Sequence, residues 1–333
     1  MQLRSQQVSI ELPDVFPESS IALDTLNAQA KWKISKGRLD AELARAEFAG
    51  PDAAGIAQGS YRKHGEGPGS IDLTATLSRA DARAVWRYLP AAINVDARHW
   101  LRDALKAGAA SEAKLILKGD LANFPFLDRK QGQFLVTVKA QGVTLDYGTG
   151  WPVISGIDAD LRFEGTGMLV MARRGTILGA RLTETRAEIL DFDAPVSTLK
   201  VKGRADGETS EFLKFIRQSP VANQIDHFTD SMSASGKGHL DIALEIPLAE
   251  ARLAESRIDG TYTLLANEVN VDPSLPPLRQ VNGSLQFSEK TLRVPEINAQ
   301  LFEMCIRDRF DIALADPQLG TVGGASGQLV EHR

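Results

Sequence analysis

One cysteine, Cys305, stands in a chain of 333 residues, so no internal disulfide and no four-thiolate metal site can be assembled. No stretch approaches the roughly 20 apolar residues a membrane-spanning helix needs. The opening Met1-Gln2-Leu3-Arg4-Ser5-Gln6 holds no apolar core of a signal peptide. The chain begins as if in mid-strand and reads as an internal segment of a longer protein, so a missing anchor says little about location. The histidines, His64, His99, His227, His239 and His332, show neither His-x-His nor His-Glu-x-x-His spacing, which would place two imidazoles on one metal. Lysine and arginine are interleaved with acids instead of gathered into a stripe, which removes the electrostatic footprint that nucleic acid requires.

Other candidate chemistry dissolves in the same way. Gly65-Glu66-Gly67-Pro68-Gly69 and Gly323-Gly324-Ala325-Ser326-Gly327 lack the lysine and helix of a phosphate loop and the elbow of a serine hydrolase, and read as hairpin loops. Asp226, His227 and Asp230 read as one exposed turn. Asp158 and Asp160, two apart on a strand, share its solvent face and read as solubilising charges before any calcium role. Neither a cofactor nor a metal is expected, and the chain is read as no enzyme.

What is present is alternation. Hydrophobic content of 43%, charged content of 24% and a net charge of −5 fit a folded segment and argue against disorder. Leu115 and Leu117, then Phe134, Val136 and Val138, then Leu240, Ile242, Leu244 and Ile246 alternate with Lys, Thr, Asp or Glu, although Ile116 and Leu135 blur the pattern. Side chains two apart share a strand face, so these are strands with one mainly apolar face. Gly, Asp, Asn and Pro turns between them point to a long antiparallel meander and not to β-α-β units.

The pattern also recurs. Trp151-Pro152, then Ile154, Ile157, Ala159, Leu161, Phe163 and Met168, matches Leu275-Pro276, then Leu278, Val281, Gly283, Leu285, Phe287 and Leu292, at a constant offset of 124 (151 to 275). A looser copy is Leu26, Ala28, Ala30 and Trp32 after Phe16-Pro17. Units that cannot bury an apolar face alone stack into an elongated array.

Two helical insertions interrupt the meander. Ala82, Val85, Trp86 and Leu89 form one stripe after the cap candidate Ser78 and before Pro90; Ala97, Trp100, Leu101, Ala104 and Leu105 form the next, with Gly108 as its stop. Trp86 and Trp100 read first as packing the pair onto the sheet, and alternatively as lining one side of a groove. A second insertion spans Thr209 to Gln218, with Phe212, Phe215 and Ile216 on one face, and Val221 to Phe228 extends it.

Arg87-Tyr88-Leu89-Pro90, His99-Trp100-Leu101, Ala104-Leu105, Gly108, Gly119-Asp120-Leu121, Phe124-Pro125-Phe126, Gly132-Gln133-Phe134 and Trp151-Pro152 occur in that order. Ser219-Pro220, Gly236-Lys237-Gly238, Ile246-Pro247-Leu248 and Leu301-Phe302 follow. In these markers, over about residues 10 to 303, the chain resembles the YhdP family of AsmA-like proteins. It departs at Glu303-Met304, where the family tends to have a Gly-Gly pair. The run Met304-Cys305-Ile306-Arg307-Asp308-Arg309 resembles translated adapter sequence, so 304–333 is set apart as a doubtful tail.

The resemblance implies a periplasmic segment of a protein anchored in the inner membrane through an N-terminal helix outside this chain. It implies phospholipid as partner, carried toward the outer membrane, with envelope proteins as further partners. The expected architecture is mainly β: an elongated, antiparallel, curved β-sheet groove with short helical insertions. The expected segments are β at 1–77, helical at 78–108, β at 109–206, helical at 207–230 and β at 231–303. The lane expected to shelter acyl chains is Phe134, Val136, Val138, Leu161, Phe163, Leu240, Ile242, Leu244, Leu285 and Phe287. A scaffold with a closed core is the alternative, and a carbohydrate-active β-solenoid comes third because no carboxylate pair stands out.

Overall fold

Alternation becomes strand almost everywhere in the computed structural model, which describes residues 1–11, 16, 18, 20–90, 93–302, 304–313 and 326–327. The protein is mainly β, antiparallel, and its sheet is open, not closed into a barrel. The chain divides into two compact units. Unit 1 holds residues 1–146, 156–171 and 190–193; unit 2 holds 147–155, 172–189 and the chain from 194 onward.

In unit 1, β1 (Gln2–Glu11), β2 (Ser20–Ser35), β3 (Arg38–Ala49), β4 (Ala53–His64), β5 (Ser70–Asp81), β6 (Leu105–Asp120) and β7 (Gly132–Leu145) each pair antiparallel with the next. β8 (Ile154–Glu164) runs beside β7, where the Gly165 amide donates to the Phe134 carbonyl at 3.2 Å. β9 (Gly167–Ile177) begins in unit 1 and ends in unit 2, and β10 (Ala180–Ile189) belongs to unit 2. In unit 2 the meander runs from β10 through β11 (Thr198–Glu208), β12 (Ser233–Pro247), β13 (Arg257–Asn270), β14 (Leu278–Ser288) and β15 (Thr291–Leu301) to β16 (Met304–Ala313), which takes a short partner, β17 (Ser326–Gly327). Met304–Ala313 thus continues the sheet, in register against β15.

Both helical insertions are present, with altered ends. Ala82–Tyr88 is a 3₁₀ helix, not an α-helix. Asp81, and not Ser78, caps it, its carboxylate accepting the Arg83 amide at 2.9 Å. Ser78 is engaged elsewhere, its hydroxyl donating across the strand to the Ala54 carbonyl. Helix α1 (Val95–Ala104) is capped by Asn94 and stops before Gly108, because Leu105 already pairs with Leu145 in the sheet. Gly108 lies inside β6 at φ +125°, where a Cβ would strike Val143. Helix α2 (Thr209–Arg217) starts at a capping box between Glu208 and Glu211, and α3 (Val221–Gln224) adds one turn. Short 3₁₀ turns at Leu121–Asn123 and Glu250–Glu255 were not expected. No helix among the described residues is long and apolar enough to cross a membrane.

The repeat is deeper than its sequence signature. β8, β9 and β10 start at 154, 167 and 180; β14, β15 and β16 start at 278, 291 and 304, each 124 further on, and all three end at the same offset. The order strand, helical pair, strand, 3₁₀ turn and four strands runs from β5 to β10 and again from β11 to β16. Left-handed residues recur at the same offset: Gly142 (φ 61°) and Ala266 (φ 50°), Gly156 (φ 62°) and Gln280 (φ 50°), Leu178 (φ 50°) and Phe302 (φ 48°). At the first pair one bond is conserved in kind. Asp158 accepts the Gly142 amide at 2.9 Å, and Asn282 accepts the Ala266 amide at 2.8 Å. Asp158 is therefore more than a solubilising charge; it fixes a β-bulge, where one extra residue leaves an amide without a ladder partner.

Candidate functional site

Paired residues on neighbouring antiparallel strands point to the same face, so register turns single-strand alternation into rows across the sheet. Unit 1 has two such rows. Ala30, Leu43, Gly59, Leu73, Leu117 and Phe134 are successive partners from β2 to β7, and Ala28, Ala46, Ala57, Ala75, Leu115 and Val136 are the parallel row. Buried residues concentrate near β1 to β3, around Leu23, Leu26 and Ala46. Further along, Ala57, Ala75, Leu115, Phe134, Val136 and Val138 remain half-buried. An apolar sheet face normally packs on a second layer. Here the apolar rows beyond β3 are only partly covered.

The expected lane residues fall on such faces, but in two separate sets. Phe134, Val136 and Val138 lie in β7, and Leu161 and Phe163 lie half-buried in β8, all within unit 1. The Phe134 ring meets Phe124 with centroids 5.2 Å apart, and Phe124 meets Phe126 edge-on at 6.0 Å. Phe126 is buried and lies against Gly119 and Gly132, where a Cβ would collide with its ring. These rings close one end of the row. The alternation hid them because they sit in the loop between β6 and β7.

Leu240, Ile242 and Leu244 lie in β12, opposite Tyr262, Gly260 and Ile258, and Leu285 and Phe287 lie in β14, all in unit 2. Leu240, Leu285 and Phe287 pack against the buried cluster Tyr262, Leu264, Val281 and Ala299, which also takes Phe212 of α2. The rings of Phe212 and Tyr262 are 4.8 Å apart. Tyr262 lies over Gly238, and Phe287 over Gly260. α2 is pinned there by buried polar contacts: Tyr262 donates to the Thr209 hydroxyl at 2.8 Å, Thr209 donates to the Asn267 side-chain oxygen, and Asn267 donates to the Lys237 carbonyl at 2.8 Å. Asn267 is 0% exposed, and burial pushes the Tyr262 hydroxyl up to about 12. Part of the face in unit 2 is therefore covered. No periodic signal announced Thr209 and Asn267, which are polar residues in otherwise apolar settings.

The opposite face is more polar, with Ile56 and the Ile116–Leu135 pair as apolar exceptions. Lys139, Arg162, Asp241 and Gln286 are exposed there, and Thr137 and Asp160 half-buried. An open recess of about 530 Å³ on that side is lined by Arg62, Ser70, Asp72, Lys118 and Lys130 among others, a poor setting for hydrocarbon. His227 has both ring nitrogens bonded within its own turn, to Asp230 at 2.9 Å and Asn223 at 3.0 Å. Among the described residues no cluster of His, Cys, Asp or Glu could hold a metal.

A half-open apolar face, repeated in a module of antiparallel strands, agrees with the comparison that decides the family. The model of the family described as YhdP protein matches residues 1–328. The chain belongs to the YhdP family. It is 23% identical over 233 residues to the intermembrane phospholipid transporter YhdP of Escherichia coli (strain K12), an alignment covering 70% of this chain. That alignment spans 18% of the relative's length. No solved structure matches.

Proposed function

We propose that this chain is a segment of a phospholipid transporter that shelters acyl chains on the apolar face of its open sheet, with no catalytic step. The observation that supports the reading is the pair of cross-strand rows ending at Phe134 and Val136, apolar along six strands and, from β4 onward, half-buried. Covering such a face stabilises the complex by roughly 25 cal/mol per Å² of apolar surface removed from water. The E. coli relative, by name an intermembrane phospholipid transporter, supports that choice of ligand; a periplasmic place beside an inner-membrane anchor is the location we propose with it. Phe134, Val136, Val138, Leu161 and Phe163 are the lipid-facing set in unit 1, and Ile242 and Leu244 continue the face beyond the α2 patch in unit 2. Leu240, Leu285 and Phe287 border that patch, which locally favours a closed, structural role.

Photo-crosslinkers placed at Phe134, Val136 and Val138 should capture phospholipid, and those at Thr137 and Lys139 should not. Native mass spectrometry of the purified protein should show the co-purifying lipid. Equal capture from both faces would remove the reading.

A further inference from the structure

The two margins of the unit 1 sheet differ in a way that bears on how a lipid lies across it. One margin is formed by the β3–β4 turn and the helical insertion. Most of its cations are bonded to the protein itself; Arg98 of α1 is the exception, half-buried with no partner for its Nε among the described residues. Arg79 donates to the Gly50 and Pro51 carbonyls at 2.6 and 3.0 Å, and Arg87 pairs with Glu18 and Asp52, each at 2.6 Å. Arg83 is held by Asp81 at 2.6 Å, and Lys106 lies 3.6 Å from Asp146.

The other margin is formed by the tips of the β2–β3 and β4–β5 hairpins. Here the apolar rows continue outward as Trp32, Ala41, Tyr61 and Ile71, and then as Ile34, Leu39 and Lys63. Register therefore places Lys63 on the apolar face, one step beyond Tyr61. It is exposed and forms no ion pair among the described residues, and neither do Lys33, Lys36, Arg38 and Arg62 around it. The nearby acids Asp40 and Glu42 are already engaged, by His64 and Lys31 at 2.9 Å each; Glu66 stands on the adjoining tip. Trp32 is 56% and Ile34 72% exposed. Apolar rows, then amphipathic rings, then unpaired cations is the order in which a phospholipid presents tail, glycerol and phosphate.

We propose that the β2–β3 and β4–β5 hairpin margin is the headgroup side of the face, with Lys63 contacting the lipid phosphate between Tyr61 and the Lys36 turn. This rests on the acyl-sheltering reading above and adds the lipid's orientation to it. One experiment separates the two. The purified chain is loaded with phosphatidylethanolamine carrying a diazirine either on its amine or midway along an acyl chain, and labelled peptides are mapped. The acyl probe should label 113–117 and 134–138. The headgroup probe should label 32–39 and 60–66, with little on 49–53 or 79–106. Lys63→Glu should cut headgroup labelling of 32–39 at least about fivefold, the effect of about one juxtamembrane cation, while Lys63→Arg keeps it and Arg62→Gln, on the other face, changes it little. Circular dichroism checks that each variant folds. Acyl labelling with headgroup labels on 49–53 and 79–106, or on both margins equally, overturns the orientation and leaves the sheltering reading standing. Absence of acyl labelling on 113–117 and 134–138 overturns both.

Discussion

Val136→Asp separates an open lipid-facing surface from a closed core by magnitude. Val136 sits mid-row in β7, opposite Leu115, and is half-buried. Full burial of a valine side chain is worth about 1.5–3 kcal/mol, so losing half of it costs about 1 kcal/mol, and the poor strand propensity of aspartate adds at most about another. Without lipid the carboxylate can still reach water, so the variant should lose about 2 kcal/mol and stay folded, within a total stability of about 5–15 kcal/mol. An acyl chain laid over position 136 must instead strip water from an ion. That costs several kcal/mol unless the group neutralises, which corresponds to at least about a hundredfold loss of bound lipid. The assay pairs a thermal or urea melt with native mass spectrometry of co-purified phospholipid, with Thr137→Asp on the opposite face as control. Lipid should return as pH falls toward about 4, where aspartate protonates. A variant that unfolds outright, at a cost above about 4–5 kcal/mol, would show Val136 to be core. A folded variant with undiminished lipid would refute the lipid-facing assignment.

Four further outcomes are expected. Ala266→Gly should stabilise the protein by up to about 1 kcal/mol in urea melts and Gly142→Ala should destabilise it by about as much, since both positions hold left-handed φ and an added Cβ at Gly142 meets open space, leaving the backbone alone to decide. Asn267→Leu should cost about 2–3 kcal/mol by stranding the Thr209 hydroxyl and the Lys237 carbonyl, and hydrogen exchange should show α2 released from the sheet; an unchanged α2 would refute the pinning role. The bond from Asp206 raises the pKa of His239, with Asp241 assisting, so the bridge stabilises fully below about pH 6.5 and fades as pH rises through the raised folded value; the gain is under about 1 kcal/mol because the ring is 32% exposed, and His239→Gln should abolish the dependence in melts at pH 5.5 and 8. Cys305→Ser, at an exposed position of β16, should change the melting curve by less than about 0.5 kcal/mol, and a loss above about 1 kcal/mol would place that side chain in a packed environment.

Much of the fold was legible because alternation is a property of single strands. Phe134, Val136 and Val138 declare a face with no knowledge of their neighbours. The repeat was legible at β8 and β14, where apolar positions coincide, and invisible at its most telling positions. A bulge needs a left-handed residue and a capping side chain, and the two copies meet those needs with Gly142 and Asp158 in one and Ala266 and Asn282 in the other. Different letters perform one job. Helix ends were misread for a related reason: Ser78 and Gly108 are good local signals that sheet pairing overrode, through the Ala54 carbonyl and the Val143 contact. The rows across the sheet, and Lys63 at their margin, need register, and register depends on bulges that alternation cannot count.

Duplication also explains why two copies of one module can present different faces. Counting 124 residues on from Val136 reaches Gly260, and from Phe163 reaches Phe287. In unit 2 the Phe287 ring packs against Gly260, where a Cβ would collide with it, and the Tyr262 ring packs against Gly238 in the same way. Phe212 of α2 meets the Tyr262 ring there edge-on and joins the buried cluster. In unit 1 the matched position carries the branched side chain of Val136 in place of a glycine. The equivalent ring, Phe163, therefore has no glycine there to lie on, and position 136 stays half-open. Glycine against valine at this one matched position thus goes with a covered patch in one copy and a half-buried apolar row in the other. A carrier of acyl chains needs both: covered patches contribute the stability of a core, and exposed rows leave apolar area that only a ligand can bury.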